Sequence, residues 1–248
     1  MKDKMMYHES VDHHSGFCRV SSYDWKNISG ALNDDGYAIL NGFLNQHECT
    51  EIENLYQEEA HFRSRVHMAR HGFGKGEYGY FRYPLPDLIN QSRSALYPYL
   101  AKIANEWNEK LGVEARYPLE HHVFIEKCWK NNQKRPTPLL LSYGPGDYNC
   151  LHQDLYGDLF FPLQVVVLLS APGDAFTGGE LILTEQRPRM QSRVEVISLQ
   201  KGDAAIFPVH SRPVRGLKGL YRVTLKHGVS RIKTGQRYTL GLIFHDAL

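Results

Sequence analysis

The sequence predicts a mainly β fold with flanking α-helices: a double-stranded β-helix (jelly-roll) barrel with N-terminal supporting helices. From Tyr117 onward, short runs rich in β-branched and aromatic residues are separated by turn residues, which is typical of all-β sandwiches and barrels. Before Tyr117, apolar residues recur at the three-to-four spacing of amphipathic helices. The four clearest strand predictions are Phe161 to Ser170, Glu180 to Glu185, Val194 to Leu199 and Ala204 to Val209.

The chain has 248 residues, a length that fits one large domain. Residues 1–22 mix histidine, serine and charged residues without periodicity, so we expect a loose tail there. Residues 23–248 are expected to form a single domain, with helical support in residues 23–115 and the jelly-roll core in residues 116–248.

Two helices are predicted in the N-terminal half. Asn45 and Glu48 have the spacing of a capping box, which predicts that a helix starts after Asn45. A short strand at Tyr37 to Leu40 precedes it. A longer helix is predicted over Asp87 to Leu111, because apolar residues recur there every three or four positions.

Two further segments are harder to interpret. Residues 71–81 are rich in glycine and aromatic residues, which predicts a mobile loop over a pocket; aromatic rings packed on the barrel wall are the alternative. His121 and His122 precede Val-Phe-Ile, which we interpret as a strand. Adjacent side chains of a strand point to opposite faces, so this pair is a poor candidate for binding one metal ion.

Composition limits the class of protein. No apolar run approaches the roughly 20 residues that a membrane helix needs, and the first residues lack the apolar core of a signal peptide. We therefore expect a cytoplasmic protein with no membrane partner, and the sequence gives no evidence for an obligate protein partner. The four cysteines, at positions 18, 49, 128 and 150, are widely spaced, which is typical of reduced thiols.

Charge is distributed unevenly along the chain. Between Asn27 and Phe62 there are seven acidic residues and no lysine or arginine, whereas Arg187 to Arg237 contains twelve lysines and arginines. Only Glu195 and Asp203 oppose these cations in sequence. Such a basic span can attract a polyanion, and a solvated strand surface is an equally acceptable interpretation.

The most informative stretch runs from Tyr143 to Asp154. His152 and Asp154 are two residues apart on a segment that reads as extended, so their side chains share a face. With a second histidine from elsewhere, they would make the two-histidine, one-carboxylate triad of non-haem Fe(II) oxygenases. His227 and His210 are the candidates for that second histidine.

Arginines follow both candidate histidines. Arg237 lies ten residues after His227, and Arg222 lies twelve residues after His210. A guanidinium near the triad could hold the far carboxylate of a dicarboxylate that chelates the metal, because its planar fork matches a carboxylate. Tyr143 and Thr239 could donate hydroxyl groups to the same carboxylate.

The order of these features resembles the 2-oxoglutarate/Fe(II)-dependent dioxygenase superfamily, in its prolyl-hydroxylase-like arrangement. Longer stretches, among them Leu151-His-Gln-Asp-Leu-Tyr-Gly157, Gly178-Gly-Glu-Leu181 and His227-Gly-Val-Ser-Arg231, resemble a bacterial family described as oxygenases acting on damaged nucleic acid. The superfamily pattern favours His227 with Gly235-x-Arg237-Tyr238 over His210.

The resemblance implies cofactors and roles. Fe(II) would be bound by His152, Asp154 and His227, and 2-oxoglutarate by Arg237, with O2 as the second co-substrate. Tyr143 and Thr239 are further candidates for binding 2-oxoglutarate.

Three functions stay open from the sequence. The first is hydroxylation of a C–H bond that leads to oxidative demethylation of alkylated nucleic acid after DNA damage. The second is hydroxylation of a protein side chain or a small metabolite. The third is a non-catalytic jelly-roll binding protein. One residue argues against the first function: alkylation-repair dioxygenases place a second arginine six residues after the carboxylate-binding one, where this chain has Ile243.

Overall fold

The N-terminal part of the fold is mainly helical. The computed structural model describes residues 15–217 and 219–248. Three short 3-10 turns, at Leu55–Gln57, Glu59–His61 and Met68–His71, connect elements of the first half. The α-helices of the described residues are α1 (Ser15–Ser22), α2 (Trp25–Asp34), α3 (Gln46–Asn54), α4 (Asp87–Lys110) and α5 (His121–Lys130).

The expected loose tail is wrong for its last eight residues, which form α1. Val20 of this helix is 2% exposed, and Arg19 binds the Glu48 carboxylate of α3 at 2.7 Å. Packing on the neighbouring helices therefore orders a segment without strong periodicity of its own. The rest of the predicted tail, residues 1–14, lies outside the described residues.

Both predicted helices are confirmed. In α3 the Asn45 side chain accepts from the Glu48 N–H, and the Glu48 carboxylate accepts from the Asn45 N–H, so the capping box is complete. The long helix α4 continues through Pro98 and buries Leu96, Leu100 and Trp107. These apolar residues recur on one face and pack the helix into the core.

Strands dominate the rest of the chain. Their bounds are β1 (Ala38–Leu40), β2 (Phe62–His67), β3 (Gly74–Lys75), β4 (Glu77–Phe81), β5 (Leu139–Tyr143), β6 (Tyr148–His152), β7 (Leu163–Leu168), β8 (Phe176–Gly178), β9 (Leu181–Gln186), β10 (Arg193–Ile197), β11 (Ala204–Pro208), β12 (Ser211–Gly216), β13 (Gly219–Val229), β14 (Ile232–Gly235) and β15 (Arg237–Leu242). The five strand predictions made from sequence correspond to β1, β7, β9, β10 and β11.

Two large sheets form the framework of the site. The first sheet has seven strands in the order β1-β11-β7-β15-β5-β4-β2, and the second has the order β10-β9-β13-β6-β3, with β12 paired to β13. A separate pair joins β14 and β8. The fold is thus mainly β with flanking helices, as predicted, but within the described residues the sheets do not close into a barrel.

Each face of the seven-stranded sheet contacts a different apolar core. One core joins this sheet to the helices and includes Leu96, Phe161 and Phe244. The other core fills the space between the two sheets and includes Phe207 and Leu225. The functional site lies in this second layer, between the sheets.

Two further predictions made from sequence were wrong. His121 and His122 begin helix α5 rather than a strand, because His121, Phe124 and Cys128 recur on one buried helical face. Residues 71–81 are largely not a loop: β4 pairs with β2 and β5 and so extends the seven-stranded sheet. The last aromatic ring of the segment is fully buried, which agrees with the alternative of rings packed on the barrel wall. Helices and strands therefore lie on both sides of the expected boundary at residue 115.

Candidate active site

Three predicted ligands come together at the six-stranded sheet. His152 ends β6, Asp154 follows two residues later, and His227 of β13 lies directly opposite His152 in the ladder. Asp154 Oδ1 lies 3.5 Å from His152 Nε2, and Asp154 Oδ2 lies 3.2 Å from His227 Nε2. Three possible ligand atoms, one from each residue, all lie within 4.8 Å of one another. Such a group is the size of a single metal site.

The alternative ligand His210 does not join this group. Histidine, cysteine, aspartate and glutamate side chains are the usual metal ligands. Among the described residues, the group of such side chains close enough together to hold one ion is His152, Asp154 and His227. His210 precedes β12, and burial, together with the nearby charge of Arg222, lowers the pKa of its imidazole. The geometry therefore favours His227 as the second histidine.

A β-bulge shapes the pairing around the site. The register between β6 and β13 shifts between His227 and Val229, so Val229 lies opposite Asn149. Bulges re-aim side chains next to functional sites. Here His152 keeps a side chain that is 34% exposed, while the side chains of His227 and Asp154 are 9% and 11% exposed.

Electrostatics keep the Asp154 carboxylate ionised. Burial by itself would raise its pKa, but hydrogen bonds and charge interactions with His152 and His227 outweigh burial and hold the pKa of Asp154 well below its usual value. Burial lowers the pKa of His227 and favours a neutral imidazole. An ionised carboxylate beside neutral imidazole is the donor set that a divalent transition metal requires.

Neighbouring groups orient both imidazoles. His152 Nδ1 lies 2.8 Å from the Cys150 carbonyl oxygen, and this contact orients the ring with Nε2 toward Asp154. The Gln164 side-chain nitrogen lies 3.2 Å from His227 Nε2 and 3.5 Å from Nδ1. Gln164 is 2% exposed, so this amide belongs to the buried surroundings of the site.

A cavity of about 210 Å³ opens beside the triad. Tyr143, Arg237 and Thr239 line it together with the three possible ligands. Four further polar residues line it and were not predicted from the sequence: Asn149, Gln153, Tyr156 and Gln164. No strand periodicity marked Tyr156, because β6 ends at His152 and residues 153–160 form no strand.

Arg237 is a buried cation without a carboxylate partner among the described residues. Its side chain is 2% exposed, and Nε makes no hydrogen bond. Nη1 lies 3.4 Å from Thr239 Oγ1, and the guanidinium carbon lies 5.6 Å from the centre of the Tyr143 ring. Burial lowers the pKa of Arg237 to about 10, so it remains charged at neutral pH. An unpaired buried guanidinium fits an incoming carboxylate.

A family model matches residues 76–247. That family is described as an oxygenase that catalyses oxidative methylation of damaged DNA. The chain belongs to this oxygenase family. The resemblance predicted from the sequence is thereby confirmed.

The oxygenase has relatives of close sequence. It is 48% identical over 167 residues to uncharacterized proteins from two strains of Mycobacterium tuberculosis, a match that covers 67% of this chain and 72% of each relative.

Solved structures share the fold of the oxygenase. A prolyl-4-hydroxylase from Pseudomonas putida matches with a TM-score of 0.53 at 13% identity, covering 90% of this chain and 100% of that one. A Trichoplax adhaerens prolyl hydroxylase, solved with a hypoxia-inducible-factor peptide, matches with a TM-score of 0.54 at 18% identity, covering 92% and 96%. The predicted double-stranded β-helix architecture is therefore confirmed.

The basic span of the oxygenase is partly neutralised within the fold. Glu185 pairs with Arg187, Arg193 and the buried Arg212. Arg222 and Lys226, in contrast, are exposed on β13, the strand that carries His227. Among residues 15–217 and 219–248, no helix has both the length and the apolar character needed to cross a bilayer.

Proposed function

We propose that this oxygenase is an Fe(II)- and 2-oxoglutarate-dependent hydroxylase, and that its substrate is a methylated base in damaged nucleic acid. One observation carries the proposal: a His-Asp-His group and a buried, unpaired arginine line the same cavity. A metal ligand set and a carboxylate anchor in one enclosed space suit a chelating dicarboxylate.

His152, Asp154 and His227 would hold the metal ion. Two imidazoles and one carboxylate suit Fe(II) and leave positions for co-substrates. When bound with 2-oxoglutarate and O2, Fe(II) supplies the oxidising chemistry that yields succinate and CO2 and places one oxygen atom in a substrate C–H bond. The enclosed apolar walls keep water from this chemistry, and the protein contributes positioning.

Arg237 would bind the far carboxylate of 2-oxoglutarate. Tyr143 lies opposite Arg237 in the β5–β15 ladder and is fully buried, and Thr239 is next on the same face of β15. Both hydroxyls line the cavity with the guanidinium. A fork of two N–H groups with hydroxyl donors beside it is a suitable receptor for a buried carboxylate.

The family description and the cavity walls support a nucleic-acid substrate. Phe73 and Tyr78 line the cavity, and Phe73 is half exposed at its rim. Aromatic rings stack on planar bases, and a base flipped out of a duplex needs such a slot. Hydroxylation of an N-methyl group gives an N-hydroxymethyl group, which breaks down to formaldehyde and a restored N–H. Exposed Arg222 and Lys226 can contact phosphates.

A protein side chain is the second candidate substrate. The fold is shared with prolyl hydroxylases, one of which was solved with a peptide. Ile243 lines the cavity at the position where alkylation-repair dioxygenases carry a second arginine.

Anaerobic titration tests the cofactor proposal. Adding Fe(II) and 2-oxoglutarate to the folded protein should produce the weak visible charge-transfer absorption of a metal chelate. Folded protein that gives no such absorption would contradict the proposal and favour a non-catalytic binding protein.

Product analysis tests the substrate. Formaldehyde release from methylated oligonucleotides is compared with hydroxylation of peptides, and unmethylated oligonucleotides of the same sequence serve as the matched control. We expect formaldehyde only with the methylated strand. Succinate formation that is the same with and without the methylated oligonucleotide would count against a nucleic-acid substrate.

A further inference from the structure

The carboxylate of Asp154 has a partner outside the histidine pair. The Tyr156 hydroxyl donates a hydrogen bond of 2.6 Å to Asp154 Oδ1. A bond of this length from a hydroxyl to an ionised carboxylate belongs to the strong class. Asp154 Oδ2 has a different nearest neighbour, His227 Nε2 at 3.2 Å. The two oxygens of this ligand are therefore not equivalent.

The backbone around Tyr156 is held in place by Gln133. This side chain is 1% exposed; its Nε2 donates to the Leu159 carbonyl at 2.8 Å, and its Oε1 accepts from the Leu159 N–H at 2.8 Å. Gly157 lies against the same amide with a φ of +89°, and a Cβ there would lie 2.6 Å from Gln133 Cδ. The loop that carries Asp154 and Tyr156 is thus fixed against the rest of the fold.

The Tyr156 ring is also enclosed. It packs edge-on against Tyr80, with ring centres 6.3 Å apart, and lies 6.3 Å from the buried ring of His245. Confined on these sides, the phenol points its hydroxyl at Asp154. Groups behind a metal ligand commonly decide how that ligand is presented.

We propose that Tyr156 is a positioning residue that occupies Asp154 Oδ1, so that Asp154 meets the metal ion through Oδ2 alone. This inference rests on the proposed function. A carboxylate that used both oxygens, together with two imidazoles, would fill four of the six positions of an octahedral ion. Two positions are too few for a chelating 2-oxoglutarate and O2 together. Holding one oxygen in a hydrogen bond keeps the third position open.

The test uses Tyr156→Phe, which removes the hydroxyl and keeps the ring. Tyr117→Phe is the matched control, because the Tyr117 hydroxyl donates to the Phe160 carbonyl at 3.1 Å, in the same loop, without touching Asp154. Co(II) is titrated anaerobically into the full chain, and its visible absorption is recorded before and after 2-oxoglutarate is added. Thermal unfolding of the metal-free proteins is measured in parallel.

We expect Tyr156→Phe to weaken Co(II) binding by about tenfold or more, the usual effect of losing a partner of a metal ligand. Its Co(II) spectrum should also differ from that of the unchanged protein, and the response to 2-oxoglutarate should shrink. Tyr117→Phe should bind Co(II) within about twofold of the unchanged protein, since it leaves Asp154 untouched. If Tyr156→Phe does not fold, Tyr156→Leu is measured in the same way.

Two results would overturn the inference. One is a Tyr156→Phe protein with unchanged Co(II) affinity and spectrum. The other is equal loss of Co(II) affinity and of melting temperature in the Tyr156 and Tyr117 variants, which would indicate general loosening of the loop. If the protein without substitutions binds no Co(II), the proposed function is overturned as well. This outcome is distinct from the other two.

Discussion

At the scale of single residues, Arg237 is the most informative side chain outside the triad. Burying a charge without a partner costs free energy. A ligand of opposite charge that binds beside such a group supplies the missing partner. Arg237 lines the cavity with an Nε atom that makes no hydrogen bond, and its Nη1 lies 3.4 Å from Thr239 Oγ1. A substitution of Arg237 can therefore test the proposed binding of the co-substrate without changing the proposed metal ligands.

Replacing Arg237 by leucine should weaken 2-oxoglutarate binding by roughly 10- to 150-fold, since hydrogen bonds to charged groups contribute about 1.5–3 kcal/mol. Metal affinity should stay the same, because Arg237 is not one of the ligand group. Anaerobic absorption titration measures both constants. Arg237→Lys keeps the charge without the planar fork. Its affinity for 2-oxoglutarate should lie between that of the unsubstituted protein and that of Arg237→Leu. Unchanged dependence on 2-oxoglutarate in Arg237→Leu would show that the anchor lies elsewhere.

Two buried histidines predict how stability depends on pH. Burial lowers the pKa of His121 and of His245 to about 3, so both are neutral in the folded protein. In the unfolded chain each takes up a proton below about pH 6.5. Their contribution to stability is therefore present above pH 6.5 and is lost as the pH falls toward 3, by about 1.4 kcal/mol per pH unit for each histidine.

Urea unfolding at pH 7.5 and pH 5 checks this prediction on the unchanged protein and on His121→Gln. Glutamine can still donate to the Phe244 carbonyl, which lies 2.9 Å from His121 Nε2, but it does not titrate. The variant should lose less stability between the two pH values, by roughly 1–2 kcal/mol. Equal losses in both proteins would contradict a neutral, buried His121.

At the scale of elements, local signals in the sequence located most helices and strands, and long-range packing decided the others. The capping box of α3 and the apolar spacing of α4 lie within single segments, so they could be predicted. The helix α5 could not, because Val-Phe-Ile suits a strand until the burial of His121 and Cys128 on one helical face is known. Likewise β4 becomes a strand by pairing with β5, far along the chain.

The same distinction applies to the site. His152 and Asp154 are two residues apart, and sequence sufficed to place them on one face. The superfamily pattern around Arg237 already favoured His227 over His210, and the β6–β13 ladder places His227 opposite His152. The bulge in that ladder has no clear local signal in the sequence. Tyr156 and Gln164 went unnoticed because a buried polar side chain gains meaning only from its neighbours.

Helix α3 offers a test at this scale. Asn45→Ala removes a side chain that accepts from the Glu48 N–H at 2.9 Å, so the free energy of unfolding should fall by about 1 kcal/mol. Asn54→Ala, at the exposed last position of the same helix, is the control and should change stability by less than about 0.5 kcal/mol. Urea denaturation measures both. Similar values for the two variants would show that the cap contributes little.

At the scale of the whole molecule, the site spans the two sheets. The proposed metal ligands belong to or follow strands of the six-stranded sheet, whereas Tyr143, Arg237 and Thr239 belong to the seven-stranded sheet. A 2-oxoglutarate molecule held at both ends would therefore connect the sheets.

Thermal unfolding under anaerobic conditions tests this connection. Metal alone should raise the melting temperature, and metal with 2-oxoglutarate should raise it further; a ligand at 100 times its Kd adds about 2.7 kcal/mol of stability. Removing the metal with EDTA should reverse both shifts. Succinate, which cannot chelate through a keto group, is the matched control and should add less. A 2-oxoglutarate effect that is the same without metal would contradict joint binding.

The position of β15 in its sheet has a consequence for biosynthesis. This strand lies between β7 and β5, yet it is made long after both of them. When synthesis has reached β14, the strands β5 and β7 have been made, but β15, which pairs with both of them, has not. Such unpaired edges are prone to aggregation. We expect nascent chains halted at that point to be captured by chaperones, and chains that include β15 to be released.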